Sequence, residues 1–174
     1  MPRIFPATAA LACMLVLAAC SPTFNWREVR AEPTTLNAML PCKPEKGERL
    51  VPMAGRQVPL QVLGCDTGGA TFAVLHADIK DAARAGEVLA QWKTATLLNM
   101  KSAAAKEGKF DPPGGTALPQ SLHVVASGQR ADGSQVESHA AYFAQGSQVF
   151  QAVIYADRLK PEMAEPFFSG LQFQ

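Results

Sequence analysis

The chain has 174 residues, and its 16 basic and 15 acidic residues give it a net charge of +1. This balance predicts neither an electrostatic surface for nucleic acid nor a polybasic patch for membranes. The length suits one domain of ordinary size, with enough chain to bury a sizeable core.

The first 20 residues have the pattern of an export signal. Arg3 is followed by an apolar run over residues 9–16, which is shorter than the roughly 20 apolar residues of a membrane-spanning helix. The next four residues, Leu17-Ala18-Ala19-Cys20, resemble the lipobox of bacterial lipoproteins. The resemblance implies cleavage between Ala19 and Cys20, with a diacylglycerol attached to the Cys20 sulfur.

The predicted anchor divides the chain into a signal peptide (1–19), a lipid-anchored linker (20–23) and one α+β domain (24–174). The three linker residues after the cysteine reach about 10 Å when extended, so we expect the domain to lie close to the membrane. Ser21, and not Asp, follows the lipidated residue. By similarity to sorted lipoproteins, this implies the periplasmic face of the outer membrane.

Alternating apolar and polar residues predict five strands in the first half of the domain. Ala54-Gly55-Arg56 is expected to form one turn between them, and Asp66-Thr67-Gly68-Gly69 another. The predicted strands cover residues 24–29, 35–40, 49–53, 57–63 and 70–76.

Cys42 and Cys65 are the cysteines that remain after processing and lipidation. An even pair in an exported chain predicts a disulfide bond. Two free buried thiols are the alternative. A zinc site is disfavoured because two isolated cysteines lack the four-ligand spacing of zinc.

From Asp81 the apolar period changes to that of a helix, which we expect Asp78 or Asp81 to cap and Gly108 to end. Proline and glycine then predict a loop over residues 111–115. The inner face of the helix is expected to carry Ala85, Leu89, Trp92, Thr96, Asn99 and Ala103.

Three further strands are predicted at 121–129, 135–143 and 148–155, with hairpin turns at Asp132-Gly133 and around Gly146. A short helix follows, opened by Pro161 or starting near Met163 because Pro166 disfavours a longer one. Residues 171–173 are expected to form a final short strand or an extended tail.

These elements predict an α+β fold, in which one long amphipathic helix and a short C-terminal helix cover a mostly antiparallel sheet. Four segments, 24–29, 40–44, 68–74 and 167–173, resemble small proteobacterial lipoproteins of unassigned function. Their layout is similar to the PsbP-like fold. The resemblance implies an accessory protein docked on a membrane complex, but it carries over no catalytic residue because the matching positions define turns and core.

Asp66-Thr67-Gly68 matches the aspartic-protease tripeptide, but that chemistry needs two carboxylates and the chain has one copy. His76, His123 and His139 are scattered, although hairpin strands can bring the last two together. No His-x-x-x-His or His-x-His pair is present. We therefore predict no catalytic, cofactor-binding or metal-binding residue, and no cofactor.

The resulting functional prediction is a non-catalytic, lipid-anchored module that docks an envelope protein partner near the membrane. The alternatives are an envelope hydrolase with dispersed catalytic residues and a carrier of a small apolar ligand. Trp92 and Asn99 on the inner helix face indicate either core packing or a ligand pocket. A large apolar cavity behind Trp92 would favour the carrier, and a filled core with an exposed apolar patch would favour docking.

Replacing Cys20 with Ala should leave the unprocessed precursor and prevent acylation, because the lipid is predicted to attach to its sulfur. Acyl-chain labelling and intact mass of the mature protein measure both effects. An unmodified mature N-terminus at any other residue would contradict the prediction.

Overall fold

A computed structural model describes residues 23–174, so the predicted signal, cleavage site and lipidated Cys20 lie outside the described residues. This part of the chain contains ten strands and two α-helices. The strands are β1 (Arg27–Arg30), β2 (Leu36–Leu40), β3 (Glu45–Met53), β4 (Arg56–Thr67), β5 (Ala70–Asp78), β6 (Ala105–Lys109), β7 (Leu122–Gln129), β8 (Gln135–Gln145), β9 (Gln148–Ala156) and β10 (Gln172–Phe173). The helices are α1 (Ala85–Asn99) and α2 (Pro161–Ser169).

The strands form two antiparallel sheets. The large sheet has seven strands in the order β3-β4-β5-β9-β8-β7-β6, and the small sheet has the order β1-β2-β10. Most neighbours in the large sheet are consecutive, but β5 pairs with β9 over nine residue pairs, from Ala70 opposite Ala156 to Asp78 opposite Gln148. This pairing joins the two halves of the chain into one sheet.

The two faces of the large sheet have different covers. One face packs against the small sheet and α2, in a core where Phe72, Phe150 and Phe167 are fully buried. The other face packs against α1 through Val88 and Leu89. Because successive side chains of a strand point to opposite faces, the same strands supply both cores.

The predicted fold class, a sheet covered by one long helix and a short helix, is wrong. Strand makes up 49% of the described residues and helix 18%, and the strands divide into two sheets. The prediction placed all strands in one sheet because strands joined by short connections usually pair. Here β2 pairs with β1 and also with β10, at the other end of the domain. That second pairing has no local sequence signal, and it builds a separate sheet.

The predicted long helix is also wrong at its C-terminal end. α1 stops at Asn99, and Gly108, expected to end it, lies in the edge strand β6, which pairs with β7. Lys101 adopts a left-handed φ of 51°, which a continuing helix does not allow. The alanines at 103–105 have the highest intrinsic helix propensity, but propensity is a small energy that the strand pairing overrides. At the start, Asp81 caps the 3₁₀ turn of residues 82–84 that leads into α1, accepting from the Ala83 N–H at 3.1 Å, while α1 itself has no side-chain cap.

The predicted hairpin turns are found, with one change in extent. Gly55 and Gly133 have φ of 77° and 84°, which glycine adopts at little cost. The turn expected over residues 66–69 is limited to its two glycines, because β4 continues to Thr67. α2 begins at Pro161, the first of its two expected starts, and includes Pro166.

Cys42 and Cys65 form the predicted disulfide bond. Cys42 follows β2, and Cys65 lies within β4. The bond therefore ties the small sheet to the large one, beside the core that the two sheets share.

Replacing both cysteines with serine should lower the free energy of unfolding by about 3 kcal/mol, because the bond closes a loop with a sequence separation of 23 residues. Urea unfolding of the wild type and the double variant measures this loss. Reductant should cause the same loss in the wild type and no loss in the variant. Free thiols at both positions in denatured, non-reduced protein would contradict the bond.

Candidate functional site

A cavity of about 860 Å³ lies between α1 and the large sheet. One wall comes from β3, β4, β5 and β9, the opposite wall from α1, and residues 129–131 between β7 and β8 contribute at one end. We call this cavity the α1 cleft.

The sheet wall of the α1 cleft is mainly aliphatic. Val51 and Met53 come from β3, Leu60 from β4, Leu75 from β5 and Val153 from β9. These positions alternate with side chains that point to the other face, as period-2 strands require. The strands therefore present a continuous apolar surface toward the helix.

The cleft exists because α1 packs closely against the sheet only at its beginning. The buried residues of the helix are Ala85, Val88 and Leu89, all in its first five positions. Ala95 and Asn99 line the cleft and are exposed. The second half of the helix still contacts this face of the sheet through Leu97 and the Thr96 hydroxyl, but it buries none of its residues fully, which leaves room for the cleft.

Trp92 lies at the transition between the packed and the open half of α1. It is half-buried, it lines the cleft, and its ring meets Tyr142 edge-on with centroids 6.5 Å apart. The fully buried Leu89 fills the position between helix and sheet that Trp92 was expected to fill. Trp92 therefore packs on the core with one part and offers an aromatic surface to the cleft with another.

A hydrogen-bonded group supports the cleft from the sheet side. The Gln151 Nε2 donates to the Thr96 hydroxyl at 3.1 Å and to the Tyr142 hydroxyl at 3.0 Å. Burial raises the pKa of Tyr142 above its ordinary value. The group joins α1 to β8 and β9, so it holds the helix at its distance from the sheet.

The end of the cleft near the β7–β8 turn is polar. Arg130 lines it, donates to the Gln135 carbonyl at 2.7 Å and pairs with the exposed Asp157 at 2.8 Å. Tyr155, two residues before Asp157, also lines the cleft, and burial raises its pKa to about 12.

Asp66 lies at the exposed end of β4, where its carboxylate accepts from the Thr71 hydroxyl. The hydrogen bond holds the two strands of a hairpin together. The tripeptide was expected to lie in a hairpin turn, but Asp66 and Thr67 belong to β4 and only Gly68 lies in the turn.

The structure brings two of the three histidines together, on the face of the large sheet opposite the cleft. The rings of His123 and His139 have centroids 5.5 Å apart, and His123 packs on Phe168 at 4.6 Å. His123 Nε2, His139 Nδ1 and the Ser121 hydroxyl are buried without a partner in the described part of the chain. No carboxylate there hydrogen-bonds to either ring, so the pair lacks the orienting group of a general base. His76 is buried beside Phe150.

Within residues 23–174, no three or more His, Cys, Asp or Glu side chains cluster closely enough to hold a metal ion. None of the helices described there combines the length and apolarity needed to cross a membrane.

The chain matches no protein-family model and no curated protein sequence. The functional conclusion therefore depends on the geometry of the cleft.

The sequence pointed to part of this site. Trp92 and Asn99 on the inner helix face were expected to belong either to the core or to a pocket, and both line the cleft. Arg130 and Tyr155 carried no such signal. One lies beside a hairpin turn and the other in a strand, where such residues are ordinarily solvated or packed.

Lowering the pH from about 8 to 5.5 should lower the melting temperature. Burial lowers the pKa of His76, His123 and His139 in the folded state, with the charge of His139 a second cause for His123. As the pH falls, these histidines take up protons in the unfolded chain near pH 6.5, before they do so in the folded state. The stability that they contribute above pH 6.5 is therefore lost as the pH falls below it.

Thermal melts across this range test the effect, and His123→Phe should flatten the dependence because one protonation site is removed. The range stays above the pH at which ordinary carboxylates take up protons. A flat profile in the wild type would contradict the assignment.

Proposed function

We propose that this chain is a non-catalytic binding module that holds a small, largely apolar ligand in the α1 cleft. The observation that carries the proposal is the cleft itself. Its volume of about 860 Å³ lies within the range of small-molecule sites, roughly 300–1,000 Å³, and such sites are mostly apolar with a few polar groups. The cleft lies behind Trp92, where an apolar cavity was the feature expected of a ligand carrier.

The packing of α1 supports the same conclusion. The helix buries its first turns, while Val51, Met53 and Leu75 on the sheet side of the cleft stay only half-buried. Apolar surface in contact with water is unfavourable by about 25 cal/mol per Å². A ligand in the cleft covers this surface, so binding gains free energy without requiring the helix to move.

Docking on a protein partner has less support from the described surface. The large exposed hydrophobic residues there are Leu50, 67% exposed on β3, and Leu98, 72% exposed on α1. Leucines scattered singly are ordinary on protein surfaces and do not form a docking patch. In the proposal, the predicted N-terminal lipid serves to keep the cleft near the membrane.

The test uses the neutral apolar dye N-phenyl-1-naphthylamine, whose fluorescence rises in apolar surroundings. Saturable binding of about one dye per chain is expected for the full chain. Ala95→Trp should abolish this binding, because Ala95 lines the cleft and a large ring there occupies the space.

Thr94→Trp is the matched control. Thr94 is the exposed neighbour of Ala95 on α1 and does not line the cleft, so this variant should bind the dye like the wild type. Melting temperatures of all three proteins check that the fold is kept. Equal dye binding by the two tryptophan variants, or no saturable binding by the wild type, would contradict the proposed function.

A further inference from the structure

The charged side chains that line the α1 cleft are all basic. Arg49 on β3 and Arg130 beyond β7 are its charged residues, and no carboxylate lines it in the described structure. The whole chain is nearly neutral, with 16 basic and 15 acidic residues, so the charge of the lining differs from that of the chain. A cleft lined by charge of one sign favours a ligand of the opposite sign.

The two arginines stand in different surroundings. Arg49 is exposed on the edge strand of the sheet. Arg130 is half-buried and held in place by its hydrogen bond to the Gln135 carbonyl. A guanidinium whose position is fixed loses less conformational freedom when it binds an anion. Arg130 is therefore a better binding site for an anionic group than Arg49.

Tyr155 supplies a second donor at the same end. It lines the cleft two residues before Asp157, whose carboxylate lies 2.8 Å from the Arg130 guanidinium. With its pKa raised to about 12, the Tyr155 hydroxyl keeps its proton at neutral pH. A neutral O–H donor beside a guanidinium suits a carboxylate or a phosphate oxygen.

The opposite end of the cleft, at Met53, is lined mainly by aliphatic side chains, with the exposed Arg49 on the same strand. Arg84, just before α1, donates to the Ala54 carbonyl at 2.7 Å, so the helix begins beside the β3–β4 turn, near Met53. The helix ends beside β7, where the Gln129 N–H donates to the Met100 carbonyl at 2.7 Å. Between its first and last lining residues, 88 and 100, the cleft follows the helix for roughly 18 Å.

We infer that the ligand of the α1 cleft is an elongated amphiphile with one anionic head, its head at Arg130 and Tyr155 and its apolar chain running along Trp92 toward Met53. This inference rests on the proposed ligand-binding function and specifies the class of molecule bound. Long-chain fatty acids and single-chain lipid phosphates share the required chemistry.

The ion pair between Arg130 and Asp157 does not prevent this binding. The Asp157 side chain is 87% exposed, and exposed ion pairs contribute little to stability. The contact uses one terminal nitrogen, Nη1, while a guanidinium has five N–H donors. The ligand head can therefore bind Arg130 beside Asp157 or replace it.

The test is displacement of N-phenyl-1-naphthylamine from the full chain at neutral pH by ligands that differ in the head group. Palmitate and palmitoyl lysophosphatidate carry anionic heads, hexadecanol has a neutral head, and hexadecylamine has a cationic one. An anionic head should bind at least about tenfold more tightly than hexadecanol, because hydrogen bonds to charged groups are the stronger ones. The tighter of the two anions identifies the head as carboxylate or phosphate.

Arg130→Gln should weaken the tighter anion about tenfold and leave hexadecanol unchanged. Tyr155→Phe should weaken the anion several-fold, with the ring retained. Arg158→Gln is the matched control. Arg158 is an exposed arginine close in sequence to Tyr155 that does not line the cleft, so this variant should bind both classes of ligand like the wild type. Thermal melts check that each variant keeps its fold.

Failure of this inference can be told from failure of the proposed function. If the dye binds but hexadecanol or hexadecylamine displaces it as well as the anions, the cleft binds apolar ligands and the anionic head is wrong. The same holds if Arg130→Gln changes both classes of ligand equally, or neither. If Arg49→Gln weakens the anion more than Arg130→Gln does, the head binds at Arg49 and the assigned orientation is wrong. Absence of dye binding by the wild type removes the proposed function itself.

Discussion

The pairing of β5 with β9 connects the two halves of the domain and gives both cores their shared strands. It joins a hairpin from the first half of the domain to one from the second half, and nine residue pairs form along it. Neighbouring pairs on the two strands point to opposite faces: Phe72 and Ile154 enter the aromatic core, while Ala73 and Val153 lie under α1. Both cores therefore exist only once this long-range pairing has formed.

The two faces of the large sheet differ in how completely they are filled. On one face large aromatic rings interlock, the small sheet covers them, and the bond between Cys42 and Cys65 links the two sheets. On the other face the cover is a single helix whose buried residues lie only in its first turns. Rigid packing on the first face holds the strands in place, which allows the second face to keep an open cleft without collapse.

The chemistry of the cleft follows from where its two ends lie in the topology. One end lies by the β3–β4 turn and is lined mainly by aliphatic side chains, while the other lies by the β7–β8 turn, where Arg130, Tyr155 and the end of α1 all line the cavity. These groups come from three separate elements. The combination of aliphatic and cationic side chains along one cavity is therefore a feature of the assembled sheet and belongs to no single segment.

Most strands, the hairpin turns and the disulfide bond could be predicted from the sequence, because alternation, turn glycines and cysteine usage are local or compositional signals. The lipid anchor at Cys20 also comes from the sequence alone, and it stays a prediction. Only the folded domain shows the second sheet, the end of α1 at Asn99, and the placement of Arg130 and Tyr155 in the same cleft. Each of these depends on contacts between residues far apart in the chain, whose energies overcome weak local preferences and leave no periodic pattern to read.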